Sequence, residues 1–297
     1  MPKSRASFFT PNEPISIALA AVPLGGGVLD PQGPIAAGDA QILQNATAIM
    51  LMIVVPTIFA TLAYAWWFRA SNVKAEYLPD WEYSGRIEMI VWGIPLLVVL
   101  FLSGVVWIGS HDLEPSRPID AGTKPVEVQV VSLDWKWLFI YPQQGVASVN
   151  ELVLPAGAPT HFSLTSGTVM NMFFVPQLGS MIATMNGMVT HLYLKADHPG
   201  EFYGQSAQYS GAGFSDMYFR VRALAQGDFE RWAQQARTES RTLDEPSYRA
   251  LLHERATSPA LSYGNVAPDL FDEIARREID GADAPAHVRP MERGADR

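Results

Sequence analysis

Two uncharged apolar runs of 21 residues, AIMLMIVVPTIFATLAYAWWF at 48–68 and MIVWGIPLLVVLFLSGVVWIG at 89–109, dominate the pattern of the chain. Each is long enough as a helix to cross about 30 Å of hydrocarbon, so the pattern predicts a transmembrane hairpin over 45–110. Each run contains a proline, Pro56 or Pro95, which a membrane helix tolerates when local distortion or neighbouring helices satisfy the freed carbonyl. Trp66, Trp67, Trp92 and Trp107 stand near the ends of the runs, the depth that interfacial aromatics prefer.

From residue 125 the period changes to two. VEVQVVSLDWKWLFIY alternates, and NELVLPA, THFSLTS, THLYLKA, GEFYGQSA and SDMYFRVRA follow between turn signals such as Pro155-Ala156-Gly157 and His198-Pro199-Gly200. Short strands at this spacing predict a β-sandwich or barrel over 125–225. Trp135, Trp137, Phe139 and Tyr141 fall on alternate positions, which predicts one shared face, read as core or subunit contact. The proline-rich stretch 111–124 reads as a linker. Beyond 226 the spacing of Phe229, Trp232 and Ala233, and of Leu270, Phe271 and Ile274, predicts short amphipathic helices over 226–280, with 281–297 a disordered tail.

Charge sets the expected orientation. Residues 69–88 carry Arg69, Lys74 and Arg86, whereas 6–47 contain no Lys or Arg, so the hairpin turn is expected on the cytoplasmic side and the β domain outside. Residues 1–44 form an N-terminal segment in which 15–25 is signal-like, with Ala18 and Ala20 offering an A-x-A site. The chain has no cysteine, which excludes disulfides, thiolate ligands and a lipidated cysteine. A net charge of −9 argues against nucleic-acid binding.

The most informative chemistry lies in GEFYGQSAQYSGAGFSDMYF at 200–219 and TVMNMFFVPQLGS at 168–180. Ser206 and Ser210 are spaced as a C-x-x-x-C pair would be, with Gln208 between, Phe214 and Met217 beyond, and Asn171 upstream where a histidine is wanted. A two-copper centre needs soft thiolates and imidazoles, while hydroxyls and amides are hard, weak donors; only Met217 is a soft ligand. The six positions therefore read as a copper loop without its ligands, filled by hydrogen bonds and by the volume of Phe214. Met170, Met172, Met181, Met185 and Met188 read as core packing rather than a cuprous site. The six histidines show no metal-binding spacing, and His111 reads as an interfacial residue.

These segments, together with DWKWLFIYP (134–142), VNELVLPAG (149–157), VPQLGS (175–180), EPSRPID (114–120) and PDLFDEI (268–274), resemble subunit II of the haem-copper oxidases, and among them the quinol oxidases of cytochrome bo type. The resemblance implies an α+β membrane protein: a two-helix transmembrane hairpin followed by a periplasmic cupredoxin-like Greek-key β-barrel with short C-terminal helices. It implies a non-catalytic subunit II of a proton-translocating ubiquinol oxidase in a bacterial inner membrane. Haems and a mononuclear copper would lie in subunit I, with smaller subunits III and IV also present. Ubiquinol, not cytochrome c, would be the donor, and this chain would hold no cofactor. The resemblance also places Glu88, at the start of the second run, near the mouth of a proton-uptake channel of subunit I; the plain reading is a solvated boundary acid. Two other readings stay open at this point, a cytochrome c oxidase subunit II with its own metal and a free-standing membrane-anchored cupredoxin-like module.

Overall fold

The computed structural model describes residues 27–76, 78–80, 82–254 and 259–279. The signal-like segment 15–25 and the tail 281–297 lie outside the described residues.

Two long helices, α1 (Pro34–Trp67) and α2 (Gly85–Asp112), carry the apolar runs and expose almost all of their side chains. Both are long and apolar enough to cross a membrane. α1 starts well before its apolar run. Its 34 residues span about 51 Å, so the first turns project beyond a ~30 Å hydrocarbon layer. Pro34 fits the first helical position, where no N–H is needed. Here the two helices meet closely: a side chain at Gly109 would strike Ile42, and one at Gly38 would strike Leu113.

The projecting end of α1 grips the following domain. Gln32 N–H donates to Gln177 O at 2.7 Å, Asp197 N–H to Gln32 O at 2.9 Å, and Ser180 Oγ to Asp39 Oδ2 at 2.8 Å. Ala36 and Ala40 are buried in this contact. Among the described residues the hairpin is therefore tied to the domain by hydrogen bonds at one end only.

The domain is built from short strands. β1 (Val126–Leu133), β2 (Lys136–Tyr141), β3 (Val146–Val149), β4 (Glu151–Pro155) and β5 (Thr160–Ser166) are followed by β6 (Asn171–Phe174), β7 (Ile182–Thr184), β8 (Thr190–Leu194), β9 (Gly200–Ser206) and β10 (Tyr218–Leu224). The C-terminal extension adds helix α3 (Gln226–Arg237), β11 (Thr242–Leu243), α4 (Glu245–His253), β12 (Leu261–Tyr263), β13 (Asn265–Val266) and α5 (Leu270–Ala275). One sheet runs β12-β3-β2-β1-β5-β8 and faces a second running β4-β10-β9-β6-β7. The chain crosses between the sheets at β3–β4 and returns at β4–β5, which makes β1 and β5 parallel partners, as are β4 and β10. The result is a curled two-sheet sandwich of the cupredoxin-like kind behind a helical hairpin, as the resemblance implies.

Both faces of β2 are buried, for two different reasons. Trp137, Phe139 and Tyr141 enter the core between the sheets, where Trp137 meets Phe173 and Phe219 at ring distances of 5.5 and 5.6 Å. Leu138 and Ile140 face outward and are covered by α4 and α5 through Tyr248, Leu251, Phe271 and Ile274. Tyr141 closes one end of the core: Val153 N–H donates to its hydroxyl at 2.8 Å and Trp232 of α3 stacks edge-on at 4.9 Å. Burial pushes that phenol well above its ordinary range. Trp135 lies outside the strand, although its ring packs partly buried against the same core cluster as Trp137, Phe139 and Tyr141. A two-residue turn, Asp134-Trp135, separates β1 from β2, and Trp135 takes φ +62°, so its ring leaves the strand.

Lys136, on the outward face, is fully buried. Its Nζ donates to Leu251 O at 3.0 Å and Glu254 O at 2.5 Å and lies 3.5 Å from Glu254 Oε2, so it caps the last carbonyls of α4. Burial lowers its pKa below 10.5 against the opposing pull of Glu254. The sign follows by linkage. As pH rises from the lowered folded value to 10.5, the unfolded chain holds more protons on this group than the folded one, so stability rises. Lys136→Met removes both the donor and this term. We expect a loss of about 2 kcal/mol at neutral pH from the two stranded carbonyls, in urea unfolding of the detergent-solubilised chain. The deficit relative to wild type should widen as pH approaches 10.5.

Candidate functional site

β9 ends at Ser206 and β10 begins at Tyr218, and the chain between them folds over one end of the sandwich. Two backbone bonds set its ends: Ser206 N–H to Met217 O at 3.0 Å and Ala207 N–H to Met172 O at 3.0 Å. Its middle is shaped by Trp135. The indole lies against Gly213, where an added Cβ would come within 2.2 Å of the ring, and near Gly211, which has φ +115°. The two glycines of the GAG segment thus answer two needs, room for an aromatic ring and a backbone conformation that side chains resist. The indole nitrogens of Trp135 and Trp137 are buried with no acceptor among the described residues.

Beneath the loop the structure brings four of the six predicted positions together. Asn171 starts β6 fully buried, and Ser206 Oγ donates to Asn171 Oδ1 at 3.1 Å and approaches Gln208 O at 3.3 Å. Asn171 Nδ2 donates to Val169 O at 3.3 Å. Met217 is buried in the core, and Ser210 Oγ lies 3.9 Å from its sulfur. The other two side chains stay outside. Gln208 is exposed and contributes only its carbonyl, while Phe214 lies at the rim, edge-on to the exposed Tyr209 at 5.7 Å. Met217, not Phe214, fills the interior volume.

Asn171 is one link in a longer buried path. Its carbonyl accepts from Thr184 Oγ1 at 3.2 Å, Thr184 pairs with Ser132 Oγ at 2.8 Å, and Ser166 Oγ donates to Val169 O at 2.6 Å and approaches Ser132 O at 3.4 Å. Ser132 and Ser166 belong to the first sheet, Asn171, Thr184 and Ser206 to the second. Sequence reasoning missed Ser132, Thr184 and Ser166 because no spacing rule connects them.

The methionines are not core. Met170, Met181 and Met188 are 44%, 46% and 53% exposed, and Met172 and Met185 are half-buried. The register Asn171↔Thr184 and Phe173↔Ile182 turns Asn171 and Thr184 inward, so the methionines take the outer face of an edge hairpin. Among the histidines, His161 and His191 stack at 5.2 Å across β5 and β8, and His161 Nδ1 lies 2.5 Å from Glu127 Oε2; the strand register, invisible in the sequence, brings them together. Among the described residues no group of three or more His, Cys, Asp or Glu side chains is placed to hold a metal; His287 lies outside them. Glu88 is exposed in the first turn of α2, at the end away from the β domain, and the Trp92 indole donates to its Oε2 at 3.0 Å.

The described sandwich coincides with the region, residues 128–224, that matches the family "Cytochrome C oxidase subunit II, periplasmic domain". Curated relatives match far more of the chain. Ubiquinol oxidase subunit 2 of Acetobacter aceti is 45% identical over 86% of this chain and 83% of its own length. Cytochrome bo(3) ubiquinol oxidase subunit 2 of Pseudomonas aeruginosa is 42% identical over 94% and 86%. The chain belongs to the ubiquinol oxidase subunit 2 family. Quinol oxidase subunit 2 of Bacillus cereus is a more distant relative, 34% identical over 76% of this chain and 78% of its own.

The donor set bears on the copper that the broader fold family implies. Asn171, Ser206, Gln208 and Ser210 offer neutral amide and hydroxyl oxygens, two of which are already committed to each other. They do not fit a soft copper pair. In this ubiquinol oxidase subunit 2 family member Asn171 and Ser206 instead bond to each other within the second sheet. Asn171→Ala is therefore expected to cost about 3 kcal/mol and Ser206→Ala about 1 kcal/mol in urea unfolding followed by tryptophan fluorescence. The double variant should cost less than the sum, because each single change strands the other's partner.

Proposed function

We propose that this chain is the non-catalytic second subunit of a proton-translocating ubiquinol oxidase, with quinol oxidation and dioxygen reduction carried out in subunit I. The observation that carries the reading is the buried Asn171–Ser206 pair beside Met217, where an electron-accepting copper pair would demand thiolates and imidazoles. An oxidase whose donor is dissolved in the bilayer needs no such acceptor above the membrane. The haems and mononuclear copper belong, on this reading, to subunit I, and this chain holds no redox centre. The relatives named ubiquinol oxidase subunit 2 support it over a cytochrome c oxidase subunit II.

The assembly role follows from exposed surface. Over residues 48–68 and 89–109, α1 and α2 present exposed apolar side chains, a condition that lipid and neighbouring helices of subunit I satisfy. The methionine face of the β6–β7 hairpin is reached directly from Ser180, which holds α1 through Asp39, so it continues that surface beyond the bilayer. Flexible thioethers suit such a contact. We place the hairpin turn, with Arg69, Lys74 and Arg86, on the cytoplasmic side of a bacterial inner membrane and the β domain in the periplasm. Subunits III and IV complete the assembly. The free-standing module reading lacks any partner for these faces.

Glu88 is the acid we assign to the entrance of proton uptake. It lies 24 residues, about 36 Å of helix, from the last residue of α2, on the opposite side of a bilayer from the β domain.

The deciding experiment offers reduced ubiquinol and reduced cytochrome c separately to the complex purified through a tag on this chain. Oxygen uptake with quinol alone is the expected result. Uptake with cytochrome c would overturn the donor assignment, and a chain that purifies without haem and oxidises neither donor would establish the free-standing module. Glu88→Gln is expected to slow quinol-driven turnover about tenfold, equivalent to ~1.4 kcal/mol of barrier, with unchanged haem content. Wild-type turnover across the pH range would remove Glu88 from the proton path.

A further inference from the structure

The bond between Trp92 and Glu88 has a function to explain. A tryptophan at a membrane boundary ordinarily turns its N–H toward water or headgroups. Trp92 instead gives it to a carboxylate one turn earlier on the same helix, at 3.0 Å. The i, i+4 spacing allows this because helical side chains lean toward the N-terminus, which lays the Trp92 ring over the turn that carries Glu88.

Nothing else on the described chain holds that acid. Among the described residues Glu88 Oε1 accepts no hydrogen bond and Glu88 forms no ion pair. Ser84, which precedes the helix, makes no side-chain cap. The carboxylate therefore has one oxygen tied and one open, on a side chain with three rotatable bonds.

We infer that Trp92 is a positioning residue, whose indole N–H fixes the Glu88 carboxylate so that its free oxygen meets the partner subunit in one orientation. The inference rests on the proton-uptake role proposed above for Glu88. A carboxyl that passes a proton to another chain must present it within hydrogen-bond reach at a fixed place, and an untethered boundary glutamate samples several rotamers. Trp92 is anchored in the apolar run one turn deeper, about 6 Å along the axis, so its bond draws the carboxylate toward the bilayer side.

The test uses the intact complex and four variants: Trp92→Phe, which keeps an aromatic ring and loses the donor; Trp92→Gln, which keeps an N–H donor; Glu88→Gln; and Trp92→Phe with Glu88→Gln. Quinol-driven oxygen uptake is followed across pH, with haem content per chain as the check on assembly. We expect Trp92→Phe to slow turnover about threefold with normal haem content. Trp92→Gln should recover at least half of the loss, and the double variant should be no slower than Glu88→Gln alone. If Glu88→Gln is slow but Trp92→Phe is not, or if Trp92→Gln recovers none of the loss, the positioning role falls and the uptake role stands. If Glu88→Gln turns over as wild type, the uptake role falls and takes this inference with it.

Discussion

The two sheets of the β domain are tied at the loop end by buried hydroxyls and one amide, and the loop above them depends on that tie. A buried hydroxyl or amide without a partner costs several kilocalories per mole, so the path from Ser166 through Ser132, Thr184 and Asn171 to Ser206 is stable only when complete. It pins β6 against β1 and β5. With β6 pinned, the Met172 carbonyl is in place to receive Ala207 N–H, and the loop starts from a fixed point. Removing any one member strands a neighbour, which makes the path rigid.

The β1–β2 turn extends this rigidity in two directions. Trp135, held at a positive φ that costs about 1–3 kcal/mol in an ordinary residue, lays its ring on Gly213 and so defines the loop from the side. The next residue, Lys136, points the other way and caps α4. Successive residues of one turn thus fasten the loop and the C-terminal extension to the same strand. The extension is in turn what buries the outer face of β2, so β2 is central to both apolar clusters.

Much of this was legible in the sequence, and the failures have specific causes. The apolar runs marked the two candidate membrane helices, but hydropathy registers apolar residues, not helix, so the polar turns around Asp39, Gln41 and Gln44 hid the true start of α1 at Pro34. Period-two alternation found the strands yet carried Trp135 with them, because Asp134-Trp135 has no turn signature to interrupt the count. The methionines read as core since apolar residues usually are; an edge hairpin that turns Asn171, Phe173 and Thr184 inward reversed that. Lys136 was invisible as a buried cation because its acceptors lie more than a hundred residues along the chain. At the loop, residue type names the kinds of donor present, whereas the partners of each donor needed register.

Fold and metal chemistry separate cleanly in this molecule. The sandwich matches a domain family named for cytochrome c oxidase subunit II, and its core is a cluster of Trp137, Phe139, Phe162, Phe173 and Phe219 in ring contact. That cluster lies below the loop and needs no metal to pack. A fold whose stability comes from aromatic burial can exchange soft ligands for amides and hydroxyls, provided every buried polar atom at the exchanged positions finds a partner. Asn171 and Ser206 meet that condition by bonding each other, and Ser210 by turning to the Met217 sulfur. The scaffold packs independently of the chemistry at its end, so a family match over the sandwich shows the fold and not electron transfer.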